Sequence, residues 1–262
     1  MQNNPQISIV MPAHNAARFI AESIESVVQQ TYCSWELIVV DDASVDETLN
    51  VVQAIAMREP RIKLIALSEN GGAAVARNAA IAAAHGRYIC FLDCDDLWLP
   101  EKLAVQLEWM NVHALPFTYM AYERIRENGQ SVGVVGVPER ITYNQLLKTS
   151  VVGCSTAMYD TAHFGKVLMP VIRMRQDFAL WLLLLKRVEF GGGIQQVLVR
   201  YRLRGESISS NKKKAALYTW RVYRHVEKLS LPRAIWYFSN YAIRGVLRHH
   251  FTGLAKKIGI MH

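Results

Sequence analysis

The sequence predicts an α/β fold: a doubly wound, mostly parallel sheet followed by a basic helical extension. Four apolar segments in the first 115 residues lack polar alternation, as strands buried on both faces do. Helix-like segments separate them, and that alternation of strand and helix builds a parallel sheet. The third observation is charge. From Arg200 to His262 the chain has 14 Lys/Arg against two Glu, a net +12, whereas the first 199 residues have 16 Lys/Arg against 20 Asp/Glu, a net −4.

The strand candidates are Ile7–Met11, Glu36–Val40, Ile62–Leu67 and Tyr88–Leu92, all rich in Ile, Val, Leu or aromatic residues. Between them, Phe19–Gln30 sets Ile20, Ile24, Val27 and Val28 at helical spacing. Asp46–Met57 forms the next helix, and Ser44 followed three residues later by Glu47 has the spacing of a capping box. Gly71-Gly72 marks a turn into the Ala-rich helix Ala73–Ala84. From Phe117 the texture changes. Phe117–Tyr122 reads as a strand, and Arg126–Gln130 carries an Asn-Gly hairpin signal. Thr142 with Gln145 opens a short helix, and Asp177–Lys186 is apolar nearly all round, as a buried helix is. Gln196–Leu203 alternates like a strand. After Asn211 the chain is basic and aromatic with helical spacing, broken at Leu231-Pro232.

Composition is that of a globular protein, with 51% hydrophobic and 20% charged residues. The cysteines Cys33, Cys90, Cys94 and Cys154 have neither CxxC nor zinc spacing and read as reduced, cytosolic thiols. A cleaved signal is not expected, because Met1–Pro5 is polar and a strand follows at once. A membrane span is not expected either. The longest strongly apolar run, Phe178–Leu185, falls far short of the roughly 20 residues that spanning requires.

Ligands of an open parallel sheet bind at the carboxyl ends of its strands, near the switch in strand order. The first strand delivers Pro12-Ala13-His14-Asn15 and the second Asp41-Asp42-Ala43-Ser44-Val45-Asp46. The third is followed by Asn70-Gly71-Gly72 and then Arg77-Asn78, and the fourth delivers Asp93-Cys94-Asp95-Asp96. Three carboxylates behind a buried strand are costly unless something positive pairs with them. Mg²⁺ takes one or two carboxylates together with substrate phosphates, so two acidic clusters and an arginine suit a nucleotide with a metal-bound diphosphate. The competing structural reading of Asp96 is a helix N-cap near Leu99–Glu101. For Asp41 and Asp46, capping and turn chemistry is preferred to ligand contact.

Taken in order, Ser8-Ile9-Val10-Met11-Pro12-Ala13-His14-Asn15, Val40–Asp46, Asn70-Gly71-Gly72 with Ala76-Arg77-Asn78, and Phe91–Asp96 resemble glycosyltransferase family 2. The resemblance covers residues 7 to about 210 and is nearest to bacterial O-antigen and capsule enzymes with a DxDD motif. It implies the nucleotide-diphospho-sugar (A-type) fold and inverting transfer from a UDP-sugar to a hydroxyl of a lipid-linked or free glycan. It further implies that Pro12, Ala13, His14 and Asn15 line the nucleotide pocket and that Asp42 accepts the uracil N–H. Arg77 would neutralise the diphosphate, Asp93 would reach the ribose or sugar, and Asp95 would ligate Mn²⁺ or Mg²⁺. The segment Met174–Trp181 is similar to the family's acidic-residue-then-LW segment, which makes Asp177 the general base; the competing reading is a cap of the following helix. Gln176 stands where the family often has a second acid. Tyr201–Ser209 resembles the family's closing segment, with Arg204 near where a His is common; a guanidinium there suits the diphosphate directly.

On this reading residues 1–115 form the nucleotide-sugar-binding half, 116–210 the acceptor-binding half of the same domain, and 211–262 a basic amphipathic tail. The tail interleaves Trp220, Tyr223, Trp236, Tyr237, Phe238, Tyr241 and Phe251 with Arg221, Arg224, Arg233, Arg244, Arg248, Lys256 and Lys257. Such helices suit an anionic membrane surface, or pack their aromatics on the catalytic domain, or both. The expected location is therefore cytoplasmic, peripheral at the inner face of the plasma membrane. A nucleotidyltransferase would want a Gly- and Lys/Arg-rich triphosphate loop after the first strand, which Pro12–Asn15 does not supply. A nucleic-acid binder working through the tail would leave Asp95 and Asp177 without purpose, so no nucleic acid is expected.

Overall fold

A computed structural model describes residues 5–205 and 212–250. Phe251, Lys256, Lys257 and the Glu206–Ser209 part of the closing segment lie outside the described residues. The first half runs β1 (Ile7–Ala13), α1 (Ile20–Val28), β2 (Trp35–Asp41), α2 (Thr48–Ala56), β3 (Ile62–Ala66), α3 (Ala73–Ala83) and β4 (Tyr88–Phe91). A two-residue β5 (Leu97–Trp98) and α4 (Lys102–Val112) follow. Next come β6 (Phe117–Met120), the hairpin β7 (Tyr122–Arg126) and β8 (Ser131–Val135), β9 (Arg140–Ile141) and α5 (Tyr143–Leu146). A 3₁₀ turn at Cys154–Thr156 leads into β10 (Met158–Asp160) and α6 (Thr161–Phe164), then α7 (Gln176–Leu185), β11 (Gly191–Ile194) and β12 (Val199–Leu203). The tail is α8 (Lys212–Arg221), a π-turn at Val222–Val226 and α9 (Leu231–His250).

The main sheet has the order β3-β2-β1-β4-β10-β6-β11-β9. Strands β1 to β4 are mutually parallel, as their unbroken apolar runs predict. Alternate residues feed two separate cores: Val10, Ile38, Val40, Ile89 and Phe91 face one layer, and Ile9, Met11, Leu37, Val39 and Cys90 the other. Helix α7 seals the first layer, with Trp181 centred 5.4 Å from both Phe91 and Phe117. The short β10 wedges antiparallel between β4 and β6, and β11 continues parallel to β6. A side chain at Gly193 would sit 2.0 Å from the Pro138 carbonyl oxygen, which is why β11 tolerates no Cβ there. A second sheet, β5-β12-β7-β8, lies at the end of β4 and brings β12 alongside the acidic run.

Thr142 and Gln145 form the expected capping box at the start of α5. The capping box read at Ser44 and Glu47 does not form. Helix α2 has no side-chain cap: Ser44 Oγ accepts the Asn15 N–H at 3.0 Å and donates to Asp41 at 2.5 Å, and Asp46 accepts the Thr48 N–H at 3.0 Å. The tail has two faces. Inward, Tyr237 donates to Asn144 at 2.7 Å and Phe238 meets Trp220 edge-on, while outward Leu231, Ile235, Trp236, Ile243 and Val246 are exposed. Among the described residues no helix is long and apolar enough to cross a membrane.

One buried cation lies outside this logic. Lys102 is fully buried, its ammonium 3.7 Å above the Trp98 ring without a hydrogen-bond partner, and burial lowers its pKa from 10.5 to about 8. The folded state is therefore the reluctant proton binder, so the penalty is complete below pH 8 and fades as the pH rises towards 10.5. Lys102→Met is expected to raise stability at pH 6–7 by about 1–3 kcal/mol in urea unfolding, with the gain vanishing in alkali. A gain independent of pH would show that the ammonium is not its source.

Candidate active site

At the end of β1, Pro12 and Ala13 are buried and His14 and Asn15 are exposed. Asn15 lies in the left-handed region at φ 48°, and its backbone N–H donates to Ser44 Oγ at 3.0 Å. His14 Nδ1 bonds the Asp42 carbonyl at 2.8 Å, so that nitrogen carries the proton. The amides of Asn15 and Asn70 then approach Nε2 at 3.3 and 3.2 Å. The Asp42 carboxylate is buried, each oxygen accepting one backbone N–H at 2.8 Å, from Gly71 and from Gly72. Gly72, at φ 84°, makes this turn possible and starts α3. Asp41 and Asp46 bond their own turns, as the sequence suggests.

Helix α3 carries Arg77 beneath the rim. Its side chain is 7% exposed and Nη2 donates to Asp93 at 2.5 Å. Burial opposes this charge, but Cys154, Asp93 and Asp177 outweigh it and raise the Arg77 pKa. Asp95 pairs with Arg204 Nη1 at 3.1 Å; burial and the Asp93 charge raise its pKa against that pull. Asp96 is wholly enclosed, accepting Ser155 Oγ at 2.5 Å and the Arg202 backbone N–H at 2.9 Å. Burial, then Asp93 and Asp95, push its pKa well up. The cap reading of Asp96 is not realised: the N-cap of α4 is Glu101, and Asp96 instead ties the end of β4 to β12.

Sequence reasoning missed two groups of this rim. Ser155 accepts the Asp93 N–H at 3.1 Å while donating to Asp96, fixing both ends of the acidic run. Arg202, 2% exposed, donates to the Asp95 carbonyl at 2.8 Å, to Glu22 at 2.6 Å and to the Glu127 carbonyl at 2.9 Å. The available signal was the Arg at an inward position of the β12 segment, which pairs with nothing nearby in sequence.

On the other side of Arg77, α7 begins after Arg175, a residue with a Cβ held at φ 67°. Asp177 occupies the first turn, half-buried, and acts electrostatically on Arg77. The cap reading of Asp177 is not realised, since Arg175 is the N-cap and no side-chain cap bond forms. Arg77 is therefore bonded to an acid of the β4 end and feels the charge of the acid of α7. Among the described residues no three His, Cys, Asp or Glu gather as a metal site. Asp93 and Asp95, with 28% and 22% of their side chains exposed, supply hard oxygen donors and fit a cation that completes its shell with phosphate and water. A cleft of about 610 Å³ lined by Arg87, Asp160 and Arg187 opens at the opposite end of β4 and contains none of these groups.

A parallel sheet with its polar groups at the strand ends, crossed by an acidic run after β4, is the A-type glycosyltransferase fold. Staphylococcus aureus TarS 1-349 in complex with UDP-GlcNAc superposes with a TM-score of 0.70 at 20% identity, covering 94% of this chain and 74% of that one. The chain belongs to glycosyltransferase family 2, whose profile, Glycosyl transferase family 2, matches residues 8–164. This sets nucleotidyl transfer aside. A Bacillus subtilis (strain 168) protein provisionally assigned as the teichuronic acid biosynthesis glycosyltransferase TuaG is 42% identical over 92% of this chain and 96% of its own length. The Escherichia coli UDP-Glc:alpha-D-GlcNAc-diphosphoundecaprenol beta-1,3-glucosyltransferase WfgD is 39% identical over 94% of this chain and 95% of its own length.

Ser155→Ala removes the donor to a buried carboxylate and the acceptor of the Asp93 N–H. It is expected to destabilise the fold by about 1–3 kcal/mol in urea unfolding. Unchanged stability would mean that the Ser155 hydroxyl is dispensable to the Asp96 oxygen it meets.

Proposed function

We propose that this chain is an inverting, metal-dependent glycosyltransferase that moves a sugar from a UDP-sugar to a hydroxyl of a lipid-diphosphate-linked glycan, in the assembly of cell-surface polysaccharide. The observation that carries the reading is the buried Arg77, paired with Asp93 and under the charge of Asp177, with the donor-side residues on the same rim. The names of the relatives, one of teichuronic acid biosynthesis and one of transfer to alpha-D-GlcNAc-diphosphoundecaprenol, support the acceptor class.

In this mechanism Pro12, Ala13, His14 and Asn15 flank the nucleotide. Asp42, whose oxygens each keep a free lone pair, accepts the uracil N–H. Asp93 contacts the ribose or sugar, and Arg77 beneath it sets its position and contributes positive potential to the diphosphate. Arg204 is the more exposed guanidinium of the rim and is the one able to meet the diphosphate directly. Asp177 takes the proton of the acceptor hydroxyl as that oxygen attacks the anomeric carbon opposite the departing UDP, which inverts the centre. Asp95, with Asp93 beside it, would hold Mn²⁺ or Mg²⁺, which supplies Lewis-acid stabilisation of the leaving diphosphate when bound.

The enzyme works at the cytoplasmic face of the plasma membrane, with the tail on anionic lipid. The exposed stripe Ile235, Trp236, Ile243 and Val246 on α9, within a strongly basic segment, is what a lipid interface recognises.

Transfer assays with a panel of UDP-sugars and lipid-linked acceptors test the chemistry. Asp177→Asn is expected to lower kcat by about 10²–10⁴-fold, and EDTA or Asp95→Ala to abolish turnover. A product of inverted anomeric configuration is expected by NMR. Retained configuration, full activity in EDTA or unchanged turnover in Asp177→Asn would each refute the corresponding role. For the tail, Ile235→Glu with Ile243→Glu is expected to release the protein from anionic vesicles in flotation, and equal flotation would count against lipid binding.

A further inference from the structure

Helix α7 is locked into the core from Phe178 onward, where Phe178, Ala179, Leu180, Trp181 and Leu182 are all buried. Its first turn, which holds Asp177, has no side-chain cap. What fixes that turn is Arg175, two residues before Asp177, in a left-handed conformation that is unfavourable for any residue with a Cβ. Such a conformation persists only where the surroundings over-determine it.

Two contacts hold the Arg175 side chain. Nη1 donates to Ser150 Oγ at 3.1 Å and Nη2 to Tyr241 Oη at 2.6 Å, with the guanidinium 5.8 Å from the centre of the Tyr241 ring. Ser150 lies just ahead of the 3₁₀ turn that carries Ser155. Tyr241 belongs to α9, whose inner face is seated by Tyr237 on Asn144 and by Phe238 on Trp220. The tail helix thus meets the start of α7 through Tyr241, whose hydroxyl accepts the hydrogen bond of this contact, while its outer face carries the exposed apolar stripe.

We propose that Tyr241 is a positioning residue for Asp177, acting through Arg175, so that the seat of the tail helix sets the geometry of the base. This rests on the reading of Asp177 as general base. A mere packing role for Tyr241 would need its ring and not its hydroxyl. A base displaced by even a fraction of the acceptor distance slows the chemical step and leaves the nucleotide site intact.

The test compares wild type, Tyr241→Phe, Arg175→Gln, their double variant and Asp177→Asn. It measures transfer kcat, the donor KM, and UDP affinity with Mn²⁺ by calorimetry. Tyr241→Phe, which keeps the ring, is expected to lose about tenfold or more in kcat with donor KM and UDP affinity unchanged. Arg175→Gln should lose as much, and the double variant no more than either, because the two act as one unit. Wild-type kcat in Tyr241→Phe, losses that multiply in the double variant, or a parallel fall in UDP affinity would each overturn the proposal. If Asp177→Asn is inactive while Tyr241→Phe is silent, only the coupling fails. If Asp177→Asn retains transfer, the base assignment fails and takes the coupling with it.

Discussion

The Arg77 guanidinium is the contact around which the rim is organised. Asp93, Asp95 and Asp96 fall within four residues, and Asp177 approaches from another helix; without a buried cation these charges would drive the β4 end and α7 apart. Arg77 reaches Asp93 from a helix whose buried face is mostly small: Ala74, Ala76 and Ala80 are buried beside Ile81, and α3 lies against β1 and β2. The Gly71-Gly72 turn that launches this helix is itself pinned by Asp42. One carboxylate at the end of β2 therefore sets the helix, the helix sets the guanidinium, and the guanidinium holds Asp93 and acts on Asp177 electrostatically.

A second guanidinium does for the backbone what Arg77 does for the carboxylates. Arg202 crosses from β12 to the Asp95 carbonyl, Glu22 on α1 and the Glu127 carbonyl, so three separate parts of the chain converge on the acidic run. With Ser155 holding Asp93 and Asp96 together, the DxDD segment is rigid in its backbone while Asp93 and Asp95 keep their carboxylates partly exposed. That division suits a site whose donor ligand supplies much of the cation's coordination.

Much of this was legible in the sequence. Strands buried on both faces show as unbroken apolar runs, and their ends show as polar clusters, so β1 to β4 and the clusters at their ends follow from local pattern, whereas Asp42, Arg77, Asp93 and Asp95 were singled out by the family resemblance. The wedge strand β10 does not, because Met158-Tyr159-Asp160 is too short to carry a period. Nor do Ser155 and Arg202. Their bonds to Asp96 span 59 and 106 residues, and nothing in either neighbourhood signals the partner. The Ser44 capping box failed for a local reason: the oxygen that would accept the Glu47 N–H accepts the Asn15 N–H instead, while its proton goes to Asp41. The Arg175 conformation was equally hidden, since an arginine gives no sign of a left-handed backbone.

The central claim is that Asp93, held by Arg77, is the anionic side of a nucleotide site. Its most direct test is calorimetric titration of UDP in the presence of Mn²⁺ into wild type and Asp93→Asn, which keeps shape and removes charge. The account predicts an unchanged fold by circular dichroism and a loss of about tenfold or more in UDP affinity. Equal affinity in the two proteins would contradict it.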